Sequence, residues 1–178
     1  HIHLDDALYG SESELLAHIT EAKALGIEQF LIPGTTLSTI PRLVRYARGI
    51  EGAYFALGLH PWFMAEHGED EEAIEQALVE LEKAVIREKP QAIGACGLDF
   101  MVEFRDRPRE EALQKRLFIG QVQLAKRYNL PLIIHTRKSL DATLKILRQQ
   151  GQKRPLRGVL HSVNGSLQQI EQALELGL

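Results

Sequence analysis

Cysteine is nearly absent. Cys96 is the only one in 178 residues, so no intrachain disulfide can form, and a reducing cytoplasm is the default setting. Long apolar runs are missing as well. None approaches the roughly 18 residues that a membrane span needs, so no membrane is expected as a partner. No signal-peptide pattern opens the sequence as written, although a start on His1 without methionine looks clipped. Excess charge of either sign is lacking too. The net charge of −3 exerts no overall pull on nucleic acid, yet it permits a local basic patch, because binding needs charge at the groove. Nothing of low complexity divides the chain, and residues 1–178 read as one domain. What is present has ordinary proportions: 44% apolar and 25% charged residues describe a globular protein able to bury a core.

Apolar strand-like runs alternate with segments of helical period. Strands are predicted over 29–34, 53–59, 92–98, 130–135 and 157–162, with HIH at the start as the tail of an earlier one. Ser11 and Glu14 form a capping box ahead of a helix that Gly26 stops. The stretch EDEEAIEQALVELEKAVIREK puts its acids first and its bases last, as the helix dipole favours. Strict alternation of this kind predicts an α/β fold with a parallel sheet. Six β-α units are legible, whereas a closed TIM barrel needs eight and about 250 residues. The expectation is therefore a (β/α)8 barrel of which about six units are here, incomplete at both ends. A smaller open sheet is the alternative.

Histidine placement carries the chemistry. Of seven histidines, five sit on or just past strand-like runs: His1, His3, His60, His135 and His161. In a parallel barrel every strand C-terminus opens on one face, so these imidazoles converge. His1 and His3, two apart on a strand, share a face and can chelate one ion. With His135 and His161 they make four imidazoles, enough for two cations if carboxylates complete the shells. Imidazole suits zinc; carboxylate and water suit magnesium or manganese. Such a pair of ions activates water and stabilises the leaving oxygen of a phosphodiester.

Each residue also has a plain structural reading. His60 precedes Pro61 and could only end a strand; His135 and His161 could be satisfied half-buried histidines; His1 could be an irregular terminus or a tag remnant. His18 and His67 read as surface residues, and Asp5 and Asp6 as turn formers. Arg137 either clamps a phosphate or pairs at a helix start. Arg105, Arg107, Arg109, Lys115 and Arg116 read as a solvated helix face. Trp62 is either a lip on which a base stacks or a core residue, and Gly97 serves a backbone turn.

The motifs HIHLDD, ALGLHPW, AIGACGLDF, LPLIIHTRKS and VLHSVNGSLQQ, in this order, resemble the TatD family of metal-dependent deoxyribonucleases, and within it a YjjV-like bacterial branch. The resemblance covers essentially the whole chain. It implies a TIM barrel of the amidohydrolase type with a divalent-metal centre at its mouth. It also implies hydrolysis of DNA, in several members as a 3′–5′ exonuclease on single strands, with magnesium or a similar ion. On that resemblance His1, His3, His135 and His161 are the metal ligands. His60 contacts the substrate phosphate or its water, Asp99 is the acid of the GLD motif, and Arg137 is the arginine after the histidine of LPLIIHTRKS. DNA with single-stranded ends is the implied partner, and no obligate protein partner is implied.

Two departures matter. The family string GEIGLD is here GACGLD, with Ala95 where a glutamate bridges two metals. The family's late aspartate, ligand and general base, has no counterpart within these 178 residues. Leu140 stands where many relatives have histidine, and Val163 where an aromatic is usual. An impaired phosphodiesterase is the leading reading. A hydrolase of a small ester, lactone or amide is the second, and a barrel that binds nucleic acid or protein without chemistry is the third.

Overall fold

Each of the five later apolar runs forms a strand. The computed structural model describes residue 3, residues 11–152 and residues 155–178. In it β1 spans Phe30–Pro33, β2 Ala53–Leu57, β3 Ala92–Asp99, β4 Leu132–Arg137 and β5 Gly158–His161. The strands lie in the order β1-β2-β3-β4-β5, every neighbour parallel. A doubly wound sheet would reverse its order at a switch point. Sequential order without reversal makes the curved wall of a (β/α) barrel. The expected HIH strand falls outside the described residues except for His3, which stands in no strand.

The helices are α1 (Glu12–Ala24), α2 (Ile40–Gly49), the short α3 (Met64–His67), α4 (Glu71–Glu88), α5 (Arg107–Tyr128), α6 (Leu140–Gly151) and α7 (Leu167–Glu175). Their starts follow capping chemistry. Ser11 with Glu14, and Ser166 with Gln169, form capping boxes. Asp70 and Asp106 accept the amides of Ala73 and Arg109. A 3-10 turn, Pro61–Phe63, joins β2 to α3 and was not legible in the sequence. Among the described residues no helix is long and apolar enough to cross a membrane.

The core lies between the sheet and its helices, and β3 is its axis, buried at all eight positions. Gly97 is not a turn residue but sits inside β3 with φ 132°. A Cβ there would lie 2.0 Å from the His135 carbonyl oxygen, so the side chain is excluded to let β3 and β4 approach. Apolar packing supplies most of the stability here, as it does in any domain of this size.

Two glutamines on α5 hold the strand ends. Leu59 lies past the end of β2, yet its N–H donates to Gln121 Oε1 at 2.8 Å and its carbonyl accepts from Gln121 Nε2 at 3.0 Å. The Asp99 N–H donates to Gln114 Oε1 at 2.9 Å and its carbonyl accepts from Gln114 Nε2 at 3.1 Å. Each carboxamide therefore imitates a neighbouring peptide. Both glutamines are fully buried, seven residues and so about two turns apart on one face of α5. The pair fixes the backbone beside His60 and at Asp99.

Gln121→Leu fills the same space but strands one buried N–H and one buried C=O. Denaturant unfolding should show a loss of about 2–4 kcal/mol. The exposed Gln76→Leu should stay within about 0.5 kcal/mol of the parent. Equal midpoints for the two variants would show that the Gln121 clamp does not stabilise the fold.

Candidate metal and phosphate site at the barrel mouth

The C-terminal strand ends gather the histidines. β4 closes with His135, Thr136 and Arg137, and β5 closes with His161. Register places His135 beside both Gly97 and His161, and Asp99 beside Arg137. The His60 and His135 rings lie 4.4 Å apart, centroid to centroid. His135 Nε2 is 3.0 Å from Asp99 Oδ2, so the ring donates its proton to a fully buried carboxylate and keeps Nδ1 as its lone-pair nitrogen. The Met101 N–H donates to Asp99 Oδ1 at 2.8 Å, and Arg137 Nη1 stands 4.0 Å from Oδ2. Those partners offset the cost of burying the charge.

His60 is held just as firmly. Its Nδ1 accepts the Trp62 N–H at 3.1 Å, which leaves the proton of the neutral ring on Nε2. Its own N–H donates to the Thr35 carbonyl at 2.8 Å. His67 is buried, contrary to the surface reading, and its Nε2–H donates to the His60 carbonyl at 3.0 Å. Burial, and then the neighbouring His135, His3, His67 and His161, hold the His60 imidazole at a pKa of about 3. Burial and the same histidine neighbourhood, His135 and His3, also lower His161. Neutral imidazole is the ligating form, so the chemistry of these donors suits a cation. They are a cluster and not a finished cage: among the described residues no three His, Cys, Asp or Glu side chains are placed to hold one ion. His1, Asp5 and Asp6 lie outside the described residues.

Ala95 is buried within β3, and its N–H donates to the Gly34 carbonyl at 2.8 Å. Its methyl group offers no donor to the mouth. Glu103 lines a neighbouring cavity whose wall includes Trp62 and no histidine. Cys96 is buried, with its thiol pushed upward by desolvation, and supplies no nucleophile.

Arg137 is half-exposed, and its guanidinium lies 5.6 Å from the Trp62 ring centroid. Trp62 itself is 55% exposed, which favours the lip over the core reading. Four of the five residues of the basic cluster are ion-paired, Arg107 and Lys115 with Glu111, Arg105 with Glu69, and Arg116 with Glu75, and Arg109 donates to the Glu69 carbonyl at 2.8 Å. It therefore behaves as the solvated face the sequence suggested. Two non-glycine residues with positive φ, Lys138 at 53° and Ser162 at 50°, directly follow Arg137 and His161. Backbone strain of this kind is common where a site is assembled.

Sequence reasoning missed five features of this mouth. They are the two glutamine clamps, His67, the buried Ser139 that donates to the Leu98 carbonyl at 2.7 Å, and the hydroxyl-rich loop after β1. Only the loop carried a visible signal, since Thr35, Thr36, Ser38 and Thr39 are clustered in sequence.

Known proteins share this architecture. The sequence profile of the family described as TatD related DNase matches residues 1–178. The chain is 34% identical over 178 residues to the uncharacterized metal-dependent hydrolase YjjV of Escherichia coli strain K12, covering 99% of this chain and 64% of that protein. The 3'-5' ssDNA/RNA exonuclease TatD of Klebsiella pneumoniae strain 342 is 32% identical over 162 residues, 90% of this chain and 57% of its own length. The crystal structure of the Escherichia coli YjjV superposes with a TM-score of 0.84 at 30% identity, over 99% of this chain and 63% of that one. The chain thus spans less than two thirds of the length of these relatives. With the barrel wall, the mouth and the match along all its residues in agreement, this chain belongs to the TatD-related DNase family.

Proposed function

We propose that this chain is a divalent-metal-dependent hydrolase of DNA phosphodiesters acting at single-stranded 3′ ends, working in the cytoplasm and impaired by Ala95. Residues 1–178 form one domain in this reading. The observation that carries it is the mouth itself: His135 bonded to the buried Asp99, His60 packed on His135, and Arg137 and Trp62 on the rim. Imidazoles beside a carboxylate with a guanidinium on the lip suit a phosphoryl group better than a neutral ester.

His1, His3, His135 and His161 are the donors for the cation, which is magnesium, manganese or zinc. A divalent ion there supplies Lewis-acid polarisation of the phosphoryl oxygen and activation of water. The chain's own residues do the positioning. Asp99 holds the His135 tautomer, an arrangement that metal-site histidines commonly use. Arg137 offers a guanidinium to a non-bridging oxygen. His60 presents Nε2–H to the phosphate or its water, because Nδ1 is occupied by the Trp62 amide.

Ala95 limits the metal content. Two divalent ions about 4 Å apart repel by on the order of 16 kcal/mol at an effective dielectric of about 20, and an anionic bridge is what offsets this. One ion per chain is the consequence. Elemental analysis should find at most one equivalent of manganese in the parent and about two in Ala95→Glu. Chelator-sensitive release of mononucleotides from a single-stranded oligonucleotide should rise in parallel. Absence of metal from both proteins would remove the hydrolase reading from this chain. A second measurement concerns Asp99→Asn, which should weaken manganese binding by about 10–100-fold; unchanged affinity would leave Asp99 with no part in holding His135 for the metal.

A further inference from the structure

The sequence holds two asparagines, Asn129 and Asn164, and they stand in opposite settings. Asn164 precedes Gly165 in the irregular stretch 163–166 that leads from the end of β5 into α7, and both residues are exposed. Neither the Asn164 carboxamide nor the Gly165 N–H has a hydrogen-bond partner among the described residues. A Cβ on Gly165 would lie 2.4 Å from Leu140 Cδ2, so packing against α6 favours glycine here. Asn129 ends α5 ahead of the bulky Leu130. The Leu130 N–H is committed to the Ala125 carbonyl at 2.9 Å, and the Asn129 side-chain oxygen accepts from Arg157 at 3.2 Å.

An asparagine side chain is an electrophile as well as a hydrogen-bonding group. The amide nitrogen of the next residue closes a five-membered ring on Cγ where that nitrogen is free and unhindered. Glycine hinders it least, since it has no Cβ and the widest choice of φ and ψ. A nitrogen already donating inside the fold must first give up that bond. Both requirements are met at Asn164, and both fail at Asn129. Position matters as much as reactivity. Asn164 lines a cavity of about 690 Å³ whose ionisable lining groups are Arg137, Lys138 and Asp141. Two cations and one anion leave that wall with one positive charge, and a carboxylate at position 164 would cancel it.

We propose that Asn164 is a site of spontaneous deamidation that removes the net charge of this wall. The Gly165 nitrogen bonds to Asn164 Cγ, the Cγ–Nδ2 bond breaks, and the proton of the attacking nitrogen leaves with the ammonia. Water then opens the succinimide at either carbonyl, giving aspartate or isoaspartate, and the new acid releases its proton to solvent. Nothing is oxidised or reduced, and water is the one co-reactant. The isoaspartyl form also inserts a methylene into the main chain just ahead of the Ser166 cap. This chemistry uses neither metal nor substrate and so goes beyond the phosphodiesterase reading.

The folded 178-residue chain is incubated at mildly alkaline pH beside Asn164→Gln, whose longer side chain would have to close a six-membered ring. Circular dichroism checks that both stay folded. Peptide mapping by mass spectrometry should find a gain of one dalton in the peptide that carries Asn164. The gain there should be at least about tenfold faster than at Asn129, because glycine leaves the attacking nitrogen unhindered. Isoaspartyl methyltransferase should label the product. On native ion exchange the aged protein should move to the more acidic position of Asn164→Asp, while Asn164→Gln keeps its mass and its position. A peptide at 164 that stays unchanged in the folded protein, while the chain in urea converts, would overturn the proposal. So would equal rates at the two asparagines. Aspartate without any isoaspartate would mean direct hydrolysis and would overturn the attack by Gly165.

Discussion

A parallel sheet that curves into a wall has a weakness at its mouth. Strands splay past their last ladder bond, and the backbone groups there lose their partners just where side chains must be held still. Here two buried carboxamides fill that gap, Gln121 on Leu59 and Gln114 on Asp99. Both come from a single helix, so α5 sets the relative height of the β2 and β3 ends. His60 follows Leu59 directly, and Asp99 carries the carboxylate that orients His135. A displacement of α5 by a fraction of a turn would therefore shift an imidazole and a carboxylate together. The site inherits its geometry from one helix–sheet contact.

Electrostatics at the mouth follow from that rigidity. Asp99 is fully buried and gains its partners at fixed distances, from His135, the Met101 amide and the nearby Arg137. The imidazoles crowd one another, and burial keeps His60 and His161 from taking up protons readily. Among the described residues, the result is a group of imidazoles around one buried carboxylate, that of Asp99. Imidazoles and a carboxylate together attract a cation. The hydroxyl loop and Arg42 continue the polar surface beside the histidines, in a cavity that His3 and His60 also line.

How much of this was readable without coordinates depends on what each signal encodes. The strands and long helices were legible because hydrophobic period and capping residues report local backbone directly. Ser11 with Glu14 and Ser166 with Gln169 behave as their types dictate. The convergence of His60, His135 and His161 was legible because strand ends share one face in a parallel barrel. The clamps were not. In LQKRLFIGQVQLAK a buried glutamine and a solvated one look alike, and only the tertiary contact distinguishes Gln121 from Gln123. His67 failed for the same reason: a polar neighbourhood in sequence hid a donor aimed at the His60 carbonyl. Gly97 was misread as a turn because glycine marks close backbone approach as readily as it marks a bend.

Ala95 separates the two levels of this structure. On the family pattern, a glutamate at this buried position would place an anion in the wall between β2 and β4, and only a bound cation would neutralise it. Such a charge, uncompensated, destabilises a fold by several kcal/mol. Alanine brings no such buried charge to this position. The remaining supports are all protein groups: the two glutamines, Ser139 on Leu98, and the Asp99–His135 pair. On the proposed reading, the cost of the substitution falls on metal content and water activation, while these protein contacts go on supporting the wall. A change proposed to be severe for chemistry is in this way mild for architecture, since the contacts that hold the mouth in register do not pass through the Ala95 side chain.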